Sequence, residues 1–267
     1  MNKFENLNPV QEKPSEQLGL ERVRSYLKSS YEKMQKRGVP IDSEGRIDPS
    51  RFDGCYSKAV LEADNKEVKR LQEVHEEGLS ETEIQRRRSG NHGELELLAA
   101  AVFSEFMGDR FDVVRSSLFD DFNNEVETIL VDRETGNIVC AFDEVGELKG
   151  KKFEDKKNKV LGINKDQLGA RLKYGIHLDS KTGAITPQCV EHIPIFYIAL
   201  SSDLLGEGLK KFQVDPENNK KLFQYFLLSL GLQIKELDLK SLALSKEVNN
   251  KLDIFNQAIG KYFRISK

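Results

Sequence analysis

Residues 119–147 read FDDFNNEVETILVDRETGNIVCAFDEVGE, and the fold turns on how this stretch is read. Nine of its 29 residues are Asp or Glu against a single base, Arg133, yet VETILV and NIVCAF have the apolar, β-branched composition of buried strands. DRETGN between them is a short turn-rich connection, so the spacing predicts a hairpin with strands over 125–131 and 137–145. Side chains alternate along a strand. Glu127 therefore shares a face with Ile129 and Val131, and Asp143 shares one with Val139, Ala141 and Val145. Pairing Asp132 with Ile138 sets a register that places Glu127 opposite Asp143. Two carboxylates so placed repel unless a proton or a divalent cation lies between them. In this reading Asp132 and Glu134 are turn residues, and Glu125 and Glu144 face away.

Upstream, FDVVRSSL (111–118) is a third strand candidate, and GELELLAAAVFSEFMG (93–108) is the most apolar helical pattern in the chain. Leu97, Leu98, Ala101, Val102 and Phe106 fall along one side of that helix. Downstream, residues 149–173 keep approximate helical phase through Phe153, Val160, Leu168 and Leu172. The unbroken apolar run Ile193 to Leu200 then suits a strand covered on both faces. Helix, three strands, helix, strand is an α/β order, a meander followed by a helical crossover to at least one further strand. Amphipathic helices are expected outside this core. They span 16–37 (Leu20, Val23, Leu27, Tyr31, Met34), 56–77 (Tyr56, Val60, Val68, Leu71, Val74), 219–232 (Leu222, Phe223, Phe226, Leu227, Leu230) and 245–262 (Val248, Leu252, Phe255, Ile259, Tyr262). Ser80 and Glu83 have capping-box spacing, which predicts a further short helix ending at Arg86 to Arg88. The division expected is a helical extension over 1–88, a core over 89–205, and C-terminal helices over 206–267 packed on it. Flanking amphipathic helices are natural docking elements, so a partner or a second copy forming a homodimer is expected there.

With 267 residues, 38% hydrophobic and 32% charged, the chain can bury a sizeable core and stay soluble. No run approaches the ~18 apolar residues of a membrane span, and MNKFENLNPVQEKPSEQ lacks a signal-peptide core, so a cytoplasmic protein without a membrane partner is expected. Three cysteines, odd in number and with no C-x-x-C pair, argue against a disulfide framework or thiolate zinc site. Cys140 and Cys189 read as small buried strand residues. The four histidines have no metal-ligand spacing, and the sequence holds neither a Gly-rich phosphate loop after a strand nor a G-x-S-x-G elbow. The net charge of −3 conceals segregation. Residues 149–173 carry nine Lys or Arg against three acids, a net of +6 directly after the acidic hairpin.

Carboxylate oxygens suit Mg²⁺ or Mn²⁺. A third acid can come from the apolar helix: Glu94 precedes Leu97, Leu98, Ala101 and Val102 by helical spacings and is preferred, with Glu96 the alternative. An acidic metal cluster beside a basic helix is what phosphodiester cleavage requires, because the metal polarises a phosphoryl oxygen while lysines hold the polyanion.

A glutamate on a helix, an acid on a strand, a second acid 16 residues later at the end of an apolar strand, and then a helix: this succession resembles the PD-(D/E)XK nuclease-like superfamily. In the resemblance Glu94 or Glu96 matches the helix glutamate, Glu127 in VETIL the first strand acid, and Asp143 in AFDEV the (D/E) of the second strand. It implies a restriction-endonuclease-like αβββαβ core over about residues 90–202, with helices added at both ends. It also implies Mg²⁺-dependent hydrolysis of DNA or RNA, with Glu94 or Glu96, Asp121, Glu127 and Asp143 around the metal. Two departures stand out. Glu127 replaces the usual Asp, with Asp121 close enough in sequence to assist, and Val145 replaces the motif lysine two residues after Asp143. Lys152 or Lys156, one or two turns into the next helix, or the nearer Lys149, is expected to reach back in its place. The alternative is a catalytically inactive nuclease-fold protein that serves as a binding partner or scaffold.

Overall fold

The computed structural model describes residues 15–81, 84, 93–166, 168–178, 182, 184–239 and 244–263. The Ser80/Glu83 capping box and Arg86 to Arg88 fall largely outside these residues, as does His92. Among the described residues the architecture is mixed α/β, with eight α-helices and a four-stranded mixed sheet accompanied by a separate two-stranded hairpin. No helix described is long and apolar enough to cross a membrane.

The main sheet contains β1 (Phe111–Arg115), β2 (Thr128–Asp132), β3 (Ile138–Val145) and β6 (Ile195–Ala199), in the order β1-β2-β3-β6. The first three are antiparallel neighbours, whereas β3 and β6 are parallel. Parallel neighbours need a long crossover, here supplied by α5 (Lys151–Asp166) and the hairpin of β4 (Ala170–Leu178) and β5 (Ile185–Ile193). Helix α3 (Glu94–Met107) packs through Phe103 on Phe142, with the rings stacked 5.2 Å apart. Helix α5 packs through Phe153 on Tyr197. Tyr197 pairs with Asp143, the residue after Phe142, so strand alternation puts these two helices on opposite faces of the sheet.

Helix α1 (Ser15–Lys36) buries Leu20, Val23, Leu27, Tyr31 and Met34, the five residues its spacing selects. It approaches α6 (Ser202–Lys211) so closely that a Cβ at Gly19 would lie 2.2 Å from the Leu209 carbonyl oxygen. Helix α8 (Lys246–Phe263) likewise buries Val248, Leu252, Phe255 and Ile259. In α2 (Lys58–Glu76), by contrast, only Val68 is buried, because this helix rests along one edge on the short α4 (Leu118–Asn124) and leaves Val60 and Val74 exposed. Helix α3 is not one-sided either. Ten of its 14 residues are buried, since the sheet, α1, α6 and α7 (Pro216–Leu239) surround it, while Phe106 is only partly covered.

Several boundaries differ from the sequence reading, each for a local reason. The strand expected over 111–118 stops at Arg115, and Leu118–Asn124 forms a short helix, α4. The Ser117 hydroxyl caps it by accepting the Asp120 N–H, and Glu125, with φ of 58°, ends it in the left-handed region. Strand β2 therefore starts at Thr128 rather than at 125. The helix expected to continue to 173 ends at Asp166. Leu168 and Gly169 both have positive φ and reverse the chain into β4, although Leu168 and Leu172 had kept helical phase. Helix α6 has no counterpart in the sequence reading, and α7 runs further in both directions than 219–232. Cys140 is buried as expected, but Cys189 is exposed because it lies on the hairpin outside the main sheet.

Candidate metal and phosphate site

The pairing of β2 with β3 carries a correction and a coincidence. Ile138 pairs with Val131 rather than Asp132, but an irregularity between Leu130 and Val131 restores the register, giving Leu130 with Cys140, Ile129 with Ala141 and Thr128 with Phe142. One step further, the Glu127 N–H donates to the Phe142 carbonyl at 3.0 Å, so Glu127 shares Phe142 with Thr128 instead of pairing with Asp143. There the β2 ladder ends. The next free donor on β3, the Glu144 N–H, is taken by Glu127 Oε2 at 3.0 Å. The Glu127 carboxylate thus stands in for missing strand backbone, in the plane of the sheet rather than over a face.

This geometry overturns the expectation that Glu144 faces away. Glu144 lies on the α3 side of the sheet and Asp143 on the α5 side, yet the Glu127 carboxyl is near enough to both that, after burial, each raises its pKa. Glu96 joins from the first turn of α3, where it is 4% exposed. Arg115 at the end of β1 grips it bidentately, at 2.7 Å from Nε and 2.6 Å from Nη2. These ion pairs are made by Glu96, the alternative helix acid, and not by the preferred Glu94. It precedes Glu96 by two residues, about 200° around the helix. With α3 covered on all sides, the apolar stripe used to choose between the two carried no direction.

Arg46 bridges the remaining acids, with Nη2 3.2 Å from Glu96 and Nη1 3.3 Å from Asp121 on α4. It arrives on the loop around 41–47, which is tied by an Ile41–Ile47 bridge and held against β1 by hydrogen bonds from Arg115 N to the Gly45 carbonyl and from Ile47 N to the Arg115 carbonyl. Gly45, at φ of 73°, packs so tightly on the Tyr31 ring that no Cβ fits. On the other face Lys156 Nζ lies 2.5 Å from Asp143 Oδ1. Of the lysines expected to reach back, Lys156 is the one that does so. Lys152, one turn earlier, lies 3.7 Å from Glu147 with its side chain 83% exposed, and Lys159 pairs with Glu125. Nothing places Lys149 at the cluster.

Five carboxyl groups (Glu96, Asp121, Glu127, Asp143, Glu144) therefore meet three cations (Arg46, Arg115, Lys156), which leaves two negative charges uncompensated if all ionise. Three carboxylate oxygens, Asp143 Oδ2 and both Oε atoms of Glu144, are buried with no hydrogen-bond donor. Burial raises all four titrating acids. It pushes Glu144 to about 7, its proximity to Glu127 notwithstanding, and Asp121 to about 6 against the opposing pull of Arg46. Glu127 lies well above the usual carboxylate range through burial and then the adjacent Glu144. Asp143 is raised by burial despite Lys156.

Among the described residues, no three His, Cys, Asp or Glu side chains already converge as a formed metal cage. Glu96, Asp121 and Asp143 are turned toward guanidinium and ammonium groups instead. Among the described residues, His75 stacks on Phe122, and His192 Nδ1 lies 2.9 Å from the Leu168 carbonyl. The sequence reading missed Arg46, Arg115 and Glu144. The first two carried no signal, since a loop arginine and a strand-end arginine are ordinary. Comparison of the chain with protein-family models, curated proteins and solved structures gave no significant match.

Proposed function

We propose that this chain is a Mg²⁺- or Mn²⁺-dependent nuclease in which α3, β1, β2, β3, α5 and β6 form a restriction-endonuclease-like αβββαβ core, with α4 and the β4–β5 hairpin as insertions. The observation that carries the proposal is the surplus of two negative charges, with three donor-less buried carboxylate oxygens, at the end of the β2–β3 hairpin. Asp143, Glu144 and Glu127 are the residues that would hold a divalent ion, with Asp121 at the rim, and their oxygen-only donor set suits Mg²⁺ or Mn²⁺. A metal bound there supplies Lewis-acid activation of a phosphoryl oxygen and of water.

The chain's own cations take the other roles. Lys156 exchanges its Asp143 partner for the scissile phosphate, filling the place that Val145 leaves without an ammonium group. If Glu144 rather than Asp143 is matched to the motif acid, the position two further is Gly146, so a lysine from α5 is required on either alignment. Arg46, held between Glu96 and Asp121 on a loop, is placed to hold a flanking phosphate. The test is incubation of purified protein with Mg²⁺ or Mn²⁺ and single- and double-stranded DNA and RNA. Metal-dependent cleavage that disappears in Asp143→Asn and in Lys156→Met supports the reading, and products unchanged in Asp143→Asn overturn it.

One observation favours a second reading, a nuclease-fold binding or scaffold protein without catalysis. Arg115 and Arg46 together neutralise Glu96, as a protein does when it builds a structural ion pair. Metal-independent nucleic-acid binding with no cleavage, and no stabilisation by Mg²⁺, would select it.

A further inference from the structure

Of the three cysteines, Cys140 is fully buried in β3, whereas Cys55 and Cys189 are exposed. These two are far apart in the chain, yet the fold clamps the segment carrying the first onto the hairpin carrying the second. Phe52, which closes the single helical turn Pro49–Phe52, and Tyr56 both set their rings edge-on against Tyr174 of β4, at 5.1 and 5.5 Å. The Tyr56 hydroxyl donates to the Lys173 carbonyl at 2.8 Å, and the Cys55 thiol donates to the Pro187 carbonyl of β5 at 3.1 Å. The N–H groups of Cys55 and Tyr56 both donate to the Phe52 carbonyl at 2.9 Å, which fixes the backbone of Cys55 to the clamp.

Cys189 follows Pro187 by two residues, about 7 Å along the strand, and alternation puts both side chains on one face. Leu172 pairs with Val190 and Gly175 with Gln188, so Cys189 lies opposite the bulge at Lys173 and Tyr174, the two residues that hold the Cys55 segment. The Tyr56 hydroxyl feels both sulfurs: after burial, Cys189 and then Cys55 raise its pKa. Arg171 Nε donates to the Cys189 sulfur at 3.4 Å, setting a guanidinium where negative charge gathers when that sulfur reacts. A Cβ at Gly54 would meet nothing within 4 Å, so the loop has room to shift and bring the sulfurs to bonding distance. Among the described residues no third ligand joins them, as a metal cage would require.

We propose that Cys55 and Cys189 form a redox modification site, joined as a disulfide by a hydroperoxide and returned to thiols by a dithiol reductant. The Cys189 thiolate attacks one peroxide oxygen, so that an S–O bond forms, the O–O bond breaks, and the leaving oxygen takes a proton and departs as water or an alcohol. The Cys55 sulfur then attacks the sulfenic sulfur. An S–S bond forms, the S–O bond breaks, and the departing hydroxide leaves as water with the Cys55 proton. Two electrons pass in all from the pair of sulfurs to the peroxide. The bond ties the segment that follows the Arg46 loop to the β4–β5 hairpin, and it does not depend on the metal site.

The test treats the full reduced chain with hydrogen peroxide in slight excess, blocks free thiols with N-ethylmaleimide and digests it without reduction for mass spectrometry. A peptide pair joining Cys55 to Cys189, found in monomeric chain and absent after dithiothreitol, is expected, with Cys140 recovered as a free thiol on denaturation. Cys55→Ser and Cys189→Ser should each abolish the pair and keep the wild-type circular dichroism, since both side chains are exposed. In Cys55→Ser the sulfenic acid on Cys189 has no thiol to resolve it, so a dione trap should capture about fivefold more of it than in the wild type. Recovery of Cys55 and Cys189 only as separate thiols or separately oxidised acids, or joined only between two chains, overturns the proposal. Equal trapping in the wild type and Cys55→Ser overturns the resolving role of Cys55.

Discussion

The two ends of the β2–β3 hairpin contain the same kind of residue and treat it in opposite ways. At the turn end Asp112 and Asp132 are fully buried, and each is matched. Arg37 and Arg133 hold Asp112 at 2.6 and 2.7 Å, while Arg110 holds Asp132 at 2.8 Å and the turn itself donates from Glu134 N and Thr135 Oγ1. At the open end Glu127, Asp143 and Glu144 are crowded together, with Lys156 the one cation in direct contact among the described residues and three oxygens without donors. A chain that neutralises its acids at one end of a hairpin and leaves them short at the other has the means to do both. On the proposed reading, this difference makes the turn end structural and the open end a site kept ready for a positive charge.

The largest effect expected from breaking this contrast is on catalysis. On the proposed reading, Asp143→Asn should lower metal-dependent cleavage of nucleic acid by a factor of about 100 or more, with circular dichroism unchanged, because it removes a carboxylate that would hold the metal ion. At the turn end the same kind of loss is a folding defect. Arg110→Ala strands the buried Asp132 and should cost about 3–5 kcal/mol in urea unfolding, without a specific effect on metal binding. Glu144→Gln should instead stabilise the metal-free chain by about 1–3 kcal/mol above neutral pH, since the neutral amide removes one of the repelling charges.

A smaller effect follows from pH. An acid whose folded-state pKa is raised holds its proton more tightly in the folded chain. Its contribution to stability is therefore complete below the ordinary value of 4.5 and is lost as pH climbs through about 7 for Glu144, and from 3.8 through about 6 for Asp121. Melting temperature in chelator should fall over that window. Saturating Mg²⁺ should flatten the slope, and Glu144→Gln should reduce it without metal.

The hairpin register was legible because hydrophobic alternation and loop length constrain it tightly. An error of one residue at the turn was cancelled by the irregularity at Leu130 and Val131, which carries the expected register as far as Thr128 and Phe142, one residue short of Glu127. Lys156 was legible as well, because a helix that follows directly after β3 has few places to put a lysine one or two turns in. Glu144 was hidden because alternation describes side chains within a ladder, and Glu127 lies just beyond the end of one. Arg46 was hidden for a different reason, and so was its meeting with Glu96, the helix acid that the sequence offered as the alternative to Glu94. Their meeting depends on how the loop around 41–47 lies against β1, a contact 70 residues distant in the chain with no periodic trace.

The most direct test of the open end is calorimetric titration of Mg²⁺ into the purified chain, in two buffers of different ionisation enthalpy and at a pH just below the Glu144 value of about 7. The account predicts saturable binding to each chain accompanied by proton release, and loss of both in Asp143→Asn. Absence of binding heat, or binding that survives Asp143→Asn with no protons released, would contradict it.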